Sequence, residues 1–326
     1  MNRLVTLVIV FHLGMCGRNV PGRPRKNNAR LLSAIGLPVR EPGTRGLKNL
    51  GNTCYWNSIM QILMHANEFK NAVSEMGSVG NPLLDEVAEL FRSEYKRESN
   101  YINPAGAFGA FQALNPDFFD VRIQQDPDEA FMAVHELLLK SVRSFRPDML
   151  SKFNLFEFIA MEEIFCSFSP SKSASSRSVV SDKIMLPLPW GSKGVVDLDT
   201  QVQEYFKPEV FERLEICGYE SGKKTSRMAT APNLLLLLVG RNFFGLKNNI
   251  AVSYPFILSS VHEAIYILSG VVHHHGASPN SGHYTAEFRH PDSGHWYRAD
   301  DTRVSRITAP TNPSRTAYLF IYEKVN

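Results

Sequence analysis

The sequence is short of cysteine. Its 326 residues contain four, Cys16, Cys54, Cys166 and Cys217, and no two are spaced as Cys-x-x-Cys. So few and so scattered, they exclude a small fold stapled by several disulfides. The missing pairs also argue against a structural four-thiolate zinc site. Long apolar runs are missing too. The stretch from Leu4 to Cys16, behind Met1-Asn2-Arg3, is too short and too interrupted for a membrane-spanning helix. Its basic start and apolar run of about a dozen residues are the pattern of a secretory leader. A buried strand or an unstructured extension is the plainer reading. A large excess of one charge is the third absence, since 35 basic residues face 32 acidic ones for a net +3. What is present, 44% hydrophobic residues with 21 Gly and 19 Pro, suffices for a sizeable core and excludes collagen, a disordered chain and a multi-span membrane protein.

The charge is unevenly spread. Residues 1–48 hold nine basic residues against Glu41 alone, and the remainder carries a net −5. A basic arm on a mildly acidic body does not have the charge distribution of a nucleic-acid-binding domain. Residues 17–45 are rich in Pro, Gly, Arg and Asn and read as a linker. The arm, 1–45, is therefore set apart from a body over 46–323.

Within the body, apolar spacing predicts a helix from Cys54 to about Phe69, with Asn52 or Thr53 as cap, a second over 83–98 and a third opening at Asp126-Pro127 and running to about Val142. Ser169–Ser181, with seven serines, reads as a loop. Ile184–Pro187 reads as a short extended piece, and Val202–Phe206 as one or two helical turns. Leu234–Val239, Tyr266–His273, His283–Arg289, His295–Ala299 and Thr316–Tyr322 read as strands at short spacing. A helical lobe followed by an antiparallel sheet lobe is an α+β order.

Two constellations carry chemistry. Cys54 stands where a loop becomes a helix, and the unpaired N–H groups and positive dipole end of a first turn favour a thiolate. By position alone it is also a plausible buried core thiol. Ser281-Gly-His-Tyr284 and His295-Trp-Tyr-Arg-Ala-Asp-Asp301 place a histidine at the start of one strand and a carboxylate pair at the end of the next. A hairpin joining them brings Asp300 beside His283, where it fixes the imidazole and stabilises its charged form. His273-His274-His275 is the competing motif. On a strand only His273 and His275 share a face, and two imidazoles without a third ligand make a poor metal site. His290 and His295 flank a turn and are expected to face water.

Taken together, the segment Gly46-Leu-Lys-Asn-Leu-Gly-Asn-Thr-Cys-Tyr-Trp-Asn-Ser-Ile-Met-Gln61, the segment Gly282-His-Tyr with Trp296-Tyr-Arg-Ala-Asp-Asp-Thr-Arg-Val304, and Gln124-Gln-Asp126 resemble the ubiquitin-specific protease family, over about residues 45–323. Val252–Leu258 and Tyr266–Gly276 look like its palm strands. The resemblance implies a papain-like cysteine protease fold, α+β, with a helical thumb, an antiparallel-sheet palm and protruding fingers. It implies Cys54 as nucleophile, His283 as general base, Asp300 as the residue that orients it, Asn49 as a side-chain donor to the oxyanion and Asp301 in support. It implies a thiol-dependent hydrolase acting after the C-terminal glycine of ubiquitin on conjugated proteins, with no cofactor or metal in the chemistry. Ubiquitin and ubiquitinated proteins are the expected partners, with no nucleic acid and no transmembrane anchor. A monomer in the cytoplasm or nucleus is expected, because Cys54 reads as a working free thiol.

Trp56 replaces the usual Met. Many relatives carry two Cys-x-x-Cys pairs that bind zinc in the fingers. Here Cys166 and Cys217 each look like one member of a lost pair, so reduced, zinc-free and loose fingers are expected. The usual Leu-Lys-Arg-Phe stretch has become Leu238-Val-Gly-Arg-Asn-Phe243. A catalytically weak ubiquitin-binding relative, or a protease for a ubiquitin-like modifier, stands as the alternative.

Overall fold

The computed structural model describes residues 43–325 except 97, 98, 192, 244, 262, 263, 279 and 280. The leader expected at 1–16 and most of the basic arm lie outside the described residues. Thr44 and Arg45 already belong to the body: both are buried, and the Arg45 guanidinium donates to the carbonyls of Lys96 and Tyr101 at 3.0 and 2.7 Å.

The helical lobe is built around α1 (Cys54–His65), all twelve residues of which are buried. A helix buried on every side belongs in a core. α2 (Asn67–Met76) follows at once. The single helix expected to Phe69 is two, because Ala66 is extended, at φ −72° and ψ 117°, and turns the chain. α3 (Pro82–Ser93) starts under the Asn81 side chain, which accepts from the Leu84 N–H, and ends five residues before the expected boundary at 98. α4 (Ala105–Leu114) was not anticipated. Its Gly106 and Gly109 mask the apolar spacing, yet Phe108 and Phe111 pack edge-on against Trp56 at 5.6 and 6.2 Å. α5 (Pro127–Phe145) opens with Pro127 at its first position and with the Asp126 side chain accepting from the Asp128 N–H, as expected of a Pro-led N-terminus. A shorter α6 (Leu198–Tyr205) lies in the sheet half, somewhat longer than the one or two turns expected.

The strands of the two larger sheets, in chain order, are β1 (Phe158–Cys166), β2 (Ser169–Ser181), β3 (Ile184–Pro187), β4 (Glu209–Phe211), β5 (Gly222–Met228), β6 (Leu234–Gly240), β7 (Ile257–Val261), β8 (Ala264–Ser278), β9 (Ser281–Arg289), β10 (Trp296–Asp300), β11 (Arg303–Ile307) and β12 (Ala317–Lys324). Among the described residues an eight-stranded sheet runs β11-β10-β9-β8-β12-β6-β3, with β7 also on β8. It is antiparallel apart from the β3–β6 pair, which is parallel. One face packs on α1; the other covers a second core that includes Tyr266, Phe320 and Tyr322. β6, a run of leucines, contributes to both cores and is buried almost throughout.

A second sheet, β2-β1-β5-β4, occupies the place expected for the fingers. Here two expectations fail. Ser169–Ser181 is not a loop but a thirteen-residue strand paired along β1, with Ile159 opposite Val180 and Glu162 opposite Arg177. Serine side chains carry no apolar period, so the strand is specified by its partner and not by its own sequence. Nor are Cys166 and Cys217 stranded thiols. They form a disulfide that joins the end of β1 to the turn at Glu215–Cys217, so the sheet is tied rather than loose. The bridge spans 51 residues, and closing a loop of that size in the unfolded chain contributes about 2–4 kcal/mol. Cys166→Ser should therefore unfold at a lower temperature than the parent by differential scanning calorimetry without reductant. The two proteins should converge once the bridge is reduced.

Candidate active site

Cys54 is the first residue of α1, and its side chain is buried. The loop before it is shaped by Asn49. The Asn49 Oδ1 accepts from the Gly51 and Thr53 N–H groups at 3.0 and 3.1 Å, while the Thr53 hydroxyl accepts from the Leu50 N–H at 3.0 Å. Thr53 holds the cap position without a side-chain capping bond, so Asn49, rather than Asn52 or Thr53, organises this helix start.

The sheet supplies the rest. In the β8–β9 register His275 lies opposite His283, and in the β9–β10 register Ala286 lies opposite Ala299, which brings the end of β10 alongside the start of β9. His283 Nε2 is 2.7 Å from Asp300 Oδ1, and the Cys54 thiol hydrogen-bonds the same ring. Thiol, imidazole and carboxylate thus stand in the expected order. The hydrogen bond to Cys54 is the largest cause that drives the His283 pKa up to about 9, and the Asp300 bond adds to it against partial burial. The ring is therefore an imidazolium at neutral pH. Gly282, just before it, sits where a Cβ would lie 2.4 Å from the His275 carbonyl oxygen and 2.6 Å from His274 Nε2; only glycine fits there.

Asp301 follows Asp300 in the left-handed region at φ +47°, a conformation Asp tolerates better than most residues. Its carboxylate accepts from Asn49 Nδ2 at 2.9 Å and from Asn57 Nδ2 at 2.7 Å. Its carbonyl accepts from the Leu47 N–H at 2.9 Å. Gly46 permits this approach, since a Cβ there would lie 2.3 Å from the Asp301 carbonyl oxygen. Asn49 and Asp301, both expected near the site, are thus hydrogen-bonded to each other. His283, Asp300 and Asp301 offer ligand atoms within 4.8 Å of one another, but these atoms are already engaged by Asn49, Asn57 and each other.

The competing histidines go elsewhere. His273 and His275 share a face, as expected, with ring centroids 6.2 Å apart. His273 meets the buried Glu287 at 3.1 Å and His275 meets the Thr285 hydroxyl at 2.9 Å. The same Glu287 carboxylate accepts from Arg298 and from the Thr311 N–H. His274 lies on the other face, stacked on Tyr284 at 4.5 Å. His290 does not face water: it is 2% exposed, with its ring 5.8 Å from that of His65.

Residues 45–322 match the family description Ubiquitin carboxyl-terminal hydrolase. The chain belongs to that family. Ubiquitin carboxyl-terminal hydrolase 26 of Arabidopsis thaliana is 27% identical over 287 residues, covering 80% of this chain and 26% of the relative. Ubiquitin carboxyl-terminal hydrolase 5 of Schizosaccharomyces pombe is 25% identical, covering 82% and 25%. This chain therefore spans about a quarter of the length of these curated relatives. The solved SAGA DUB module of Ubp8, Sgf11, Sus1 and Sgf73 bound to monoubiquitin matches with a TM-score of 0.73 at 19% identity, over 94% of this chain and 76% of that one. The fold is accordingly the papain-like one of this family: the helical lobe is the thumb, the large sheet the palm and the stapled sheet the fingers. Among the described residues no helix is long and apolar enough to cross a membrane.

Two participants were not singled out by the sequence reading. Asn57 lies on α1 one turn beyond Cys54 and holds Asp301 from the thumb side; a carboxamide one turn after the cysteine, on a helix buried all round, was its signal. Gln124 was visible as part of a motif but without a role, and it reaches the sulfur. Because Asp301 joins α1 to the palm hairpin, Asp301→Ala should take away the 2.7 Å acceptor of the buried Asn57 amide and leave it only the longer 3.4 Å contact with the Leu47 carbonyl, at about 1–3 kcal/mol. Urea unfolding should show that loss, and turnover should fall with it as the thiol and the imidazole lose their common brace.

Proposed function

We propose that this chain is a cysteine hydrolase that cleaves the isopeptide or peptide bond after the C-terminal glycine of ubiquitin. The observation that carries the reading is the position of His283, whose ring is hydrogen-bonded to Asp300 through Nε2 at 2.7 Å and also to the Cys54 thiol. Membership of the family supports it, and the ubiquitin bound to the SAGA module supports the choice of partner.

In this reading the Cys54 thiolate attacks the glycyl carbonyl carbon, and the carbonyl π electrons move to oxygen. The Cys54 backbone N–H at the helix start and the second hydrogen of the Asn49 amide, whose first is on Asp301, meet the oxyanion. The His283 imidazolium passes its proton to the departing lysine amine, leaving a thioester. Neutral His283 then takes a proton from water, whose oxygen attacks the thioester, and the thiolate returns as the ubiquitin carboxylate leaves. Asp300 keeps the ring in register and stabilises its charged form. A ubiquitin-binding protein without activity would not need this alignment, so the active reading is the one adopted.

Ubiquitin carrying a C-terminal electrophile should label the wild-type protein at Cys54. Cys54→Ala should bind ubiquitin and never label. A wild-type protein that binds without labelling or hydrolysis would refute the assignment. The pH profile gives an independent check. The His283 pKa is raised above its ordinary 6.5 to about 9, so the proton needed by the leaving amine is present below that value and lost above it. kcat/KM should fall as pH rises through about 9. Asp300→Asn should move that limb to lower pH and cost roughly tenfold or more in kcat.

A further inference from the structure

Gln124 is held from three directions. The loop that carries it is tied to the Cys54 loop, where the Asn52 N–H donates to the Val121 carbonyl at 2.7 Å and Asn52 Nδ2 to the Arg122 carbonyl at 2.8 Å. Two residues downstream Asp126 caps α5 and accepts from the Tyr318 hydroxyl of β12 at 2.9 and 2.8 Å. The Gln124 side chain itself reaches the palm, its Nε2 donating to the Gly282 carbonyl at 2.9 Å. The same nitrogen lies 3.8 Å from Cys54 Sγ. A primary amide carries two hydrogens. With one on Gly282, the other has the sulfur as its neighbour.

We propose that Gln124 is a catalytic residue, a second side-chain donor to the oxyanion formed when Cys54 attacks. This rests on the reading of the chain as a thiol hydrolase. The argument is about where charge goes. Before attack the negative charge is on sulfur, and a donor 3.8 Å away is at the long edge of useful contact. On attack the sulfur becomes a neutral thioether sulfur and the charge appears on an oxygen two bonds away. A donor at the long edge of reach from the sulfur, and fixed in place by a palm carbonyl, interacts weakly with the starting state and strongly with the transition state. That difference accelerates a reaction, whereas equal binding of both states does not. Gln124 resembles Asn49 in this respect: each amide has one hydrogen spent on the palm, on Gly282 or on Asp301, and one left for the chemistry.

The test compares wild type, Gln124→Met and Gln124→Glu on a ubiquitin C-terminal amide. Methionine keeps the length and removes the donor; glutamate removes the donor and adds a repelling charge. kcat should fall about 100-fold in the methionine variant, and further in the glutamate variant, with KM within about threefold. Affinity for ubiquitin ending in an aldehyde, which forms a tetrahedral adduct on the thiol, should fall by the same factor as kcat/KM. Affinity for unmodified ubiquitin should stay level, and thermal unfolding should match wild type. A kcat within threefold of wild type in both variants overturns the proposal. A rise in kcat/KM also overturns it, making Gln124 a latch across the cleft, and so do equal losses for the aldehyde and for plain ubiquitin, making it a structural bridge. A wild-type protein inert to both substrate and electrophile would instead sink the hydrolase reading itself.

Discussion

The Asp301 carboxylate is the point on which the site depends. One oxygen holds the loop before Cys54 through Asn49, and the other holds the helix that Cys54 opens through Asn57. Its backbone carbonyl holds the entering strand at Leu47. These three bonds come from segments some 250 residues away along the chain, and Asp301 adjoins the Asp300 that orients His283. A thiol on a helix and an imidazole on a sheet keep a fixed separation only if something rigid spans helix and sheet. Here the span is one side chain in an unusual backbone conformation, with glycine opposite to let the chains meet.

The environment also sorts the histidines. Burial pushes His65 and His274 down to about 4, which leaves them neutral and suited to packing against Phe288 and Tyr284. His275 is lowered for the same reason. His283 moves the other way, because thiol and carboxylate outweigh its partial burial. One residue type thus serves as neutral core filler and, at His283, as a ring held in its charged form, and the neighbours decide which. Beside the apolar core that thumb and palm share, further polar contacts cross between them, with Asp126 on Tyr318 and Lys183 on Asp128.

Much of this was legible in the residues themselves. The cysteine and histidine segments are local patterns, and a hairpin-compatible distance between His283 and Asp300 is enough to pair them. Strands with alternating or continuous apolar character, such as Leu234–Gly240, declare themselves. What escaped reading depends on partners. The serine-rich β2 has no period of its own and exists because β1 offers it hydrogen bonds. α4 hides behind two glycines and is a helix because Phe108 and Phe111 close over Trp56. His290 flanks a turn, which suggests exposure, yet the turn folds back onto His65. The Cys166–Cys217 bridge links positions 51 apart whose meeting is set by the β1–β5 register, a relation no spacing rule encodes.

That bridge places two opposing electrochemical requirements in one polypeptide. In the proposed reaction Cys54 works only as a reduced sulfur, whereas the Cys166–Cys217 tie in the fingers exists only as an oxidised pair. Ambient thiol reagents that reduce a sulfenic or mixed-disulfide form of Cys54 attack the fastening through exchange, and oxidants that preserve the fastening threaten Cys54. Assay buffers are therefore not neutral for this molecule. The glutathione ratio around it sets, at the same time, how much of the population keeps Cys54 reduced and how much has its distal sheet pinned.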